Sequence, residues 1–254
     1  MQLDKKRIIV TGCASGMGAA TLRAYANTGA HVVGMDINDS DGQKVCAQAG
    51  GNASYIHVDV SDAHSVQQAF ASAADSLGGL DALAHPAAIH RTGQATDVSV
   101  EDWDLMFAIN VRGTMLTNQA AYPYLKAAGG GSIINFGSIS GQRPEPTSAA
   151  YSSAKGAVHA WTRTAAGTWG KDGIRVNAIL PAIATPMFHQ ARKNMTPEQN
   201  ENSYWRNMQS IALGEEYGDA DEDLGPVMVF MASDASKFIT GQLIPVDGGQ
   251  HNVR

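Results

Sequence analysis

The sequence is short of cysteine, of long apolar runs and of any excess of positive charge, and each shortage closes off a class of function. Its two cysteines, Cys13 and Cys46, form no paired-thiol motif and no disulfide framework, as suits a reducing cytoplasm. The eight histidines are scattered, with no His-Glu-x-x-His or Cys/His cluster, so no catalytic metal is expected. No stretch approaches the roughly eighteen apolar residues of a membrane span. Met1-Gln2-Leu3-Asp4-Lys5-Lys6-Arg7 runs directly into a short apolar strand and does not read as a signal peptide. Eighteen basic against twenty-four acidic side chains leave a net charge of -6, which speaks against nucleic acid or an anionic membrane as partner. With 44% hydrophobic and 17% charged residues, the 254-residue chain has the composition of a folded globular protein. Its length suits one large α/β domain or at most two small ones.

What the chain does have is alternation. Short apolar runs at 7–11, 31–36, 54–59, 80–87, 132–137, 175–180 and 242–246 read as strands. Ala-rich segments at 16–28, 41–49, 62–77, 100–128, 151–169 and 224–233 read as helices, with Pro123 placed to kink the long one. This pattern predicts an α/β fold, a doubly wound parallel sheet of about seven strands with helices on both faces. No linker, low-complexity tract or repeat divides residues 1–254, so a single domain is expected.

Tyr151 and Lys155 stand four apart at the start of the 151–169 helix, on one face about a turn apart. A free phenol holds its proton to about pH 10, and a fixed cation nearby favours the phenolate, making it a usable proton donor and acceptor. Ser138, a short loop upstream, can supply a hydroxyl to an oxygen whose charge changes. The pair alone is equally compatible with chance spacing on a helix.

The first strand enters Thr11-Gly12-Cys13-Ala14-Ser15-Gly16-Met17-Gly18 and then a helix, the context in which glycines let backbone approach a pyrophosphate. Asp36 ends the second strand, where a carboxylate accepts from ribose hydroxyls and repels a 2′-phosphate. No Arg or Lys stands at Ser15 or Ile37 to receive such a phosphate, so NAD is expected over NADP. Asp36 is also suited to a plain strand-end cap. Asp59-Val60 closes the third strand beside the adenine position, although Asp59 equally suits capping the helix that starts near Asp62.

Taken together and in order, these motifs resemble the short-chain dehydrogenase/reductase family over essentially the whole length. Thr11-Gly12-x-x-x-Gly16-x-Gly18 is similar to its cofactor loop, Asp59-Val60 to its adenine-side pair and Asn110 to its active-site Asn. Ser138, Tyr151 and Lys155 are similar to its catalytic Ser and Tyr-x-x-x-Lys. Asn177-x-x-x-Pro181-Ala182-x-x-Thr185 resembles its nicotinamide cradle, and Val246-Asp247-Gly248-Gly249 its C-terminal turn. The resemblance implies a Rossmann-like sheet and an NAD-dependent oxidoreductase interconverting a secondary alcohol and a ketone. Tyr151 would be the general acid/base, Lys155 would lower its pKa and bond the nicotinamide ribose, and Ser138 would hold the substrate oxygen. Asn110 would anchor a water linking Lys155 to solvent, and could equally bond backbone where the helix bends. Gly12, Ser15, Gly16, Met17, Gly18, Asp36, Ile37, Asp59, Val60, Ala87, Tyr151, Lys155, Pro181, Ile183 and Thr185 are the implied cofactor contacts.

Two places depart from the family pattern. His85-Pro86-Ala87-Ala88 stands where Asn-Asn-Ala-Gly is usual, and Ala182 stands where a Gly usually follows Pro181. Pro86 removes a backbone donor, Ala88 adds a methyl, and His85 has no evident partner, so it is expected to be packed or solvated. Beyond the sixth strand, 184–216 would lie over the ligand crevice and carries Met187, Phe188, His189, Met195, Tyr204, Trp205 and Met208. That mix suits a lid over an apolar substrate, and equally a small helix packed on the sheet. Gln142 and Arg143 are placed to line the mouth. The absence of a basic cluster favours a neutral, apolar alcohol or ketone, cyclic or steroid-like, as the small-molecule partner. Faces carrying Met106, Met115 and Trp161 exceed one core's needs, and family members commonly assemble, so a homotetramer or homodimer is expected. The rival readings are a 3-oxoacyl-carrier-protein reductase-like enzyme and a non-enzymatic dinucleotide-binding protein.

Overall fold

The inner runs form parallel strands because they are apolar on both faces and need a covering layer on each side. The computed structural model describes residues 3–193, 196, 198 and 208–251. Its strands are β1 (Arg7–Thr11), β2 (His31–Asp36), β3 (Ala53–His57), β4 (Ala82–His85), β5 (Gly131–Phe136), β6 (Ile174–Pro181) and β7 (Leu243–Val246). They lie in one seven-stranded parallel sheet of order β3-β2-β1-β4-β5-β6-β7. Along β1 the side chains alternate between layers: Ile8 and Val10 pack with Leu22, Tyr25 and Met228, whereas Ile9 packs with Phe70, Leu83 and Ile133. β4 is shorter than expected. Its pairing with β5 ends at His85 against Asn135, so Pro86 lies beyond the ladder and costs it no hydrogen bond.

The helices are α1 (Gly16–Asn27), α2 (Asp39–Ala49), α3 (Ala63–Leu77), α4 (Val100–Phe107), α5 (Gly113–Ala127), α6 (Ala149–Trp169), α7 (Pro186–Lys193) and α8 (Gly225–Ala232). Side-chain oxygens of Asn38, Asp62 and Ser99 accept first-turn N–H groups and so fix where α2, α3 and α4 begin. The long helix expected over 100–128 is present without a gap as α4 and α5, joined by a π-helical turn at Ala108–Arg112. The π turn contains Asn110, and Pro123 sits inside α5. Met106 is fully buried against Ala150 and Ala154, which removes it from any outward-facing surface. Among the described residues no helix is long and apolar enough to cross a membrane.

Cys13 and Cys46, both free thiols, stand near each other in the fold. Their sulfurs flank Gly34, where a Cβ would stand 2.9 and 2.7 Å from them, and the Cys46 thiol donates to the Ser54 carbonyl at 3.2 Å. Chain direction across the sheet reverses between β1 and β4, which places a crevice at the carboxyl ends of those strands.

Candidate active site

A cleft of about 330 Å³ opens at that crevice. One wall is the loop after β1. Gly12 has φ +64°, and a Cβ there would lie 2.7 Å from the Ala87 Cα. A Cβ on Gly18 would strike the Gly12 carbonyl, 2.7 Å from its carbon and nearer still to its oxygen. Backbone thus meets backbone with no side chain between, and the residues fit a dinucleotide whose phosphates rest on main chain. Ser15 precedes α1 without capping it, so the first N–H groups of the helix have no side-chain acceptor.

Asp36 lines the far end of the cleft. Its carboxylate accepts the Ala14 N–H at 2.9 Å and the Asn38 N–H at 3.0 Å, tying the glycine loop to the end of β2. Asp59 does not cap α3, because Asp62 does. Instead Asp59 closes its own turn, accepting the Ser61 N–H at 2.8 Å and the Ser61 hydroxyl at 2.7 Å.

The polar face of α6 builds the other end. Lys155 is buried and donates from Nζ to the Phe136 carbonyl at 2.7 Å, with Nζ 5.6 Å from the centre of the Tyr151 ring. Burial brings its pKa down to about 8. The Tyr151 phenol hydrogen-bonds the Ser138 side chain. Burial raises the phenol's pKa and the Ser138 bond only partly offsets it. This direction is opposite to the lowering expected from a cation four residues on: burial of the hydroxyl is the larger effect, and the ammonium is directed at Phe136. Ser138 Oγ also accepts the Ser140 N–H at 3.1 Å.

Asn110 faces the loop after β4. Its amide accepts the Ile89 N–H and donates to the Ile89 carbonyl, both at 2.9 Å, and so clamps that loop's backbone. This is the backbone-bonding role that the sequence left open. The Asn110 carbonyl, within the π turn, accepts the Thr114 hydroxyl at 2.7 Å. His85 is packed, not solvated: Nδ1 lies 2.7 Å from the Thr11 hydroxyl on the adjacent strand, while buried Nε2 has no partner. Burial, with a smaller contribution from the Lys155 charge, lowers its pKa to about 3.

Gly12, Ser15, Gly16, Met17, Gly18, Asp36, Ile37, Asp59, Val60, Ala87, Tyr151 and Thr185 share the cleft wall. Lys155 stands behind Tyr151. Pro181 closes β6 off the wall, and the Ile183 side chain belongs to the core. Gln142 is exposed beyond a 3₁₀ turn (Ile139–Gly141) and does not line the cleft. Met187 falls in α7, but its side chain lies outside the described residues, as do Met195, Tyr204 and Trp205. Sequence reasoning missed Val58, Ile89, His90, Ile109 and Pro186 as wall residues. The rule that ligands gather at strand carboxyl ends would have drawn attention to Ile89 and His90, just past β4. The His90 ring meets the Tyr151 ring edge-on at 4.7 Å between centres, and its Nε2 lies 3.0 Å from the Ser148 hydroxyl.

A family profile described as enoyl-(acyl carrier protein) reductase matches residues 12–251. The chain is 36% identical over 252 residues to a 2,5-dichloro-2,5-cyclohexadiene-1,4-diol dehydrogenase of Sphingobium indicum, covering 98% of this chain and 97% of that one. The chain belongs to the short-chain dehydrogenase/reductase family. Within that family it is also 34% identical over 253 residues to a meso-2,3-butanediol dehydrogenase of Serratia marcescens, covering 98% of this chain and 96% of the relative. The structure of a levodione reductase superposes on this short-chain dehydrogenase/reductase with a TM-score of 0.91 at 26% identity, over 98% of each chain. Oxidoreductase activity and a nicotinamide cofactor follow from membership of the family.

Proposed function

We propose that this short-chain dehydrogenase/reductase is an NAD-dependent dehydrogenase that interconverts a neutral secondary alcohol and its ketone, with a small diol as preferred substrate. One observation carries the reading. The Tyr151 phenol, bonded to the Ser138 hydroxyl, sits on the wall of the same cleft that the Gly12–Gly18 loop closes at its other end. NAD held there supplies the hydride acceptor. Gly12, Ser15, Gly16, Met17 and Gly18 would hold its phosphates, Asp36 and Ile37 its adenosine ribose, and Asp59 and Val60 its adenine. Ala87, Pro181, Ile183 and Thr185 would lie along its nicotinamide half. The bridge between Ile183 and Gly218 uses the Ala182 carbonyl and the Ala184 N–H, which leaves those of Ile183 for a ligand.

On the substrate side, Ser138 accepts and donates to hold the alcohol oxygen while Tyr151 removes its proton. Lys155, whose ammonium is held by the Phe136 carbonyl, would bond the ribose hydroxyls of the nicotinamide half. The Asn110 carbonyl anchors a water through which the proton leaves. Two relatives carry diols in their names, one of them cyclic. His90, beside Tyr151, is placed to bond the second hydroxyl of such a substrate. The same proposal takes residues 1–254 as one cytoplasmic domain and a homotetramer or homodimer as the working assembly.

The test is a fluorescence titration with NADH and NADPH, followed by turnover of cyclohexane diols, butane-2,3-diol, a steroid alcohol and a 3-oxoacyl thioester. Tighter NADH binding and fastest turnover of a diol are expected. NADPH preference would overturn the Asp36 assignment. Fastest turnover of the thioester would replace this reading with acyl-carrier reduction, which the description of the matching profile favours.

A further inference from the structure

α6 holds the end of β5 and the loop after it by a row of polar contacts. Thr162 accepts from Asn135 at 3.1 Å, Lys155 donates to Phe136 at 2.7 Å, and the next contact belongs to His159, one turn beyond Lys155 on the same face. His159 is buried to 2% exposure, and its Nε2 accepts the Ser138 main-chain N–H at 3.2 Å. The loop is shaped around this ring. A Cβ on Gly137 would strike Nε2 and stand 2.8 Å from Cδ2, and one on Gly141 would stand 2.7 Å from Cε1. The imidazole therefore fills the bend that presents Ser138, and glycine on either side is what lets the chain wrap it.

We infer that His159 is a positioning residue: by accepting the Ser138 N–H it fixes the Ser138 backbone, and with it the hydroxyl that bonds the Tyr151 phenol. The inference rests on the catalytic reading of Ser138 and assigns a role to a residue that takes no part in the proton path. Accepting at Nε2 requires the neutral ring with its proton on Nδ1, and burial keeps the ring neutral by lowering its pKa to about 4. The Lys155 and Arg163 charges act in the same direction. Without the acceptor, the Ser138 N–H would be buried and unpaired, and the loop would turn to find a partner.

Three variants decide it: His159→Leu, His159→Gln and Ser138→Ala. The Gln side-chain oxygen reaches about as far as Nε2 and can accept the same N–H, whereas Leu fills the space without an acceptor. For the alcohol that the wild type turns over fastest, His159→Leu is expected to lower kcat by about tenfold or more. KM for NAD should stay within about twofold, and His159→Gln should restore most of kcat. Amide exchange at Ser138, which needs no substrate, should be slow in the wild type and His159→Gln and fast in His159→Leu. Wild-type kcat and slow exchange in His159→Leu, alongside loss in Ser138→Ala, would overturn the positioning role alone. A folded His159→Gln no better than His159→Leu would overturn it equally. Full turnover in Ser138→Ala would overturn the catalytic reading of Ser138 and this role with it.

Discussion

Replacing Gly18 by Ala tests the cofactor cradle at its tightest point. The new methyl would meet the Gly12 carbonyl and, at 3.3 Å, the Cys13 Cα, all main-chain atoms that cannot swing aside as a side chain would. Real Cβ contacts stay beyond 3.0 Å, so the loop must move by about 1 Å. Gly12 cannot retreat towards β4, because the Ala87 backbone already fills that side. The strain should cost about 1–3 kcal/mol, or a fall of about 5 °C in Tm for a chain of this size. NADH affinity should fall further than stability, by about tenfold to a hundredfold, because a displaced N–H loses a charge-assisted bond worth about 1.5–3 kcal/mol. Gly167→Ala is the control. Its Cβ would have nothing within 4 Å, it lies inside α6, and it should leave NADH binding unchanged while adding a few tenths of a kcal/mol or more to stability. Thermal melts with NADH titration read both quantities. Wild-type affinity in a folded Gly18→Ala protein would refute the reasoning that phosphates rest on this loop.

Other perturbations follow from the same contacts. Asn110→Ala removes both bonds to the Ile89 backbone and should cost about 2–4 kcal/mol in urea melts, with weaker NADH binding as the Pro86–His90 loop shifts; an unchanged midpoint would mean that the clamp carries nothing. Acid should destabilise the fold through His85 and His159, whose pKa values fall from 6.5 to about 3 and about 4 on folding. The unfolded chain binds these protons first, so the stability they contribute is fully present above pH 6.5 and is lost as pH falls through the folded values. At 1.36 kcal/mol per pH unit, His159 alone accounts for about 3 kcal/mol. Urea midpoints compared at pH 7 and pH 4 measure it, with the slope reduced in His159→Gln, and a flat dependence would contradict it.

The sheet was legible because its inner strands are buried on both faces: short apolar runs separated by helix-length Ala-rich segments leave little choice but a parallel layer. The glycine loop and the Tyr151–Lys155 spacing were legible for a different reason, since each is local and each carries its geometry in the residue types. What stayed hidden depends on partners far apart in the chain. The irregular turn of the long helix contains Asn110, whose amide reaches Ile89 across twenty-one positions, and not Pro123, the residue with the local signal. His85 finds Thr11 seventy-four positions away, and Ser138 finds His159 across twenty-one. Cys13 and Cys46 stand near each other only because Gly34 carries no side chain between them. The phenol's raised pKa was misjudged because helix spacing conveys that a cation is near, and conveys neither how deeply the hydroxyl is buried nor that Phe136 takes the ammonium.

Tyr151→Phe tests the central claim most directly. The variant keeps the ring against His90 and loses only the hydroxyl that bonds Ser138. Stopped-flow measurement of NADH formation from saturating NAD and diol should show turnover reduced by about a hundredfold to ten-thousandfold, with NADH affinity within about twofold of the wild type. Wild-type turnover in that variant would contradict proton transfer through Tyr151 and with it the function proposed for this cleft.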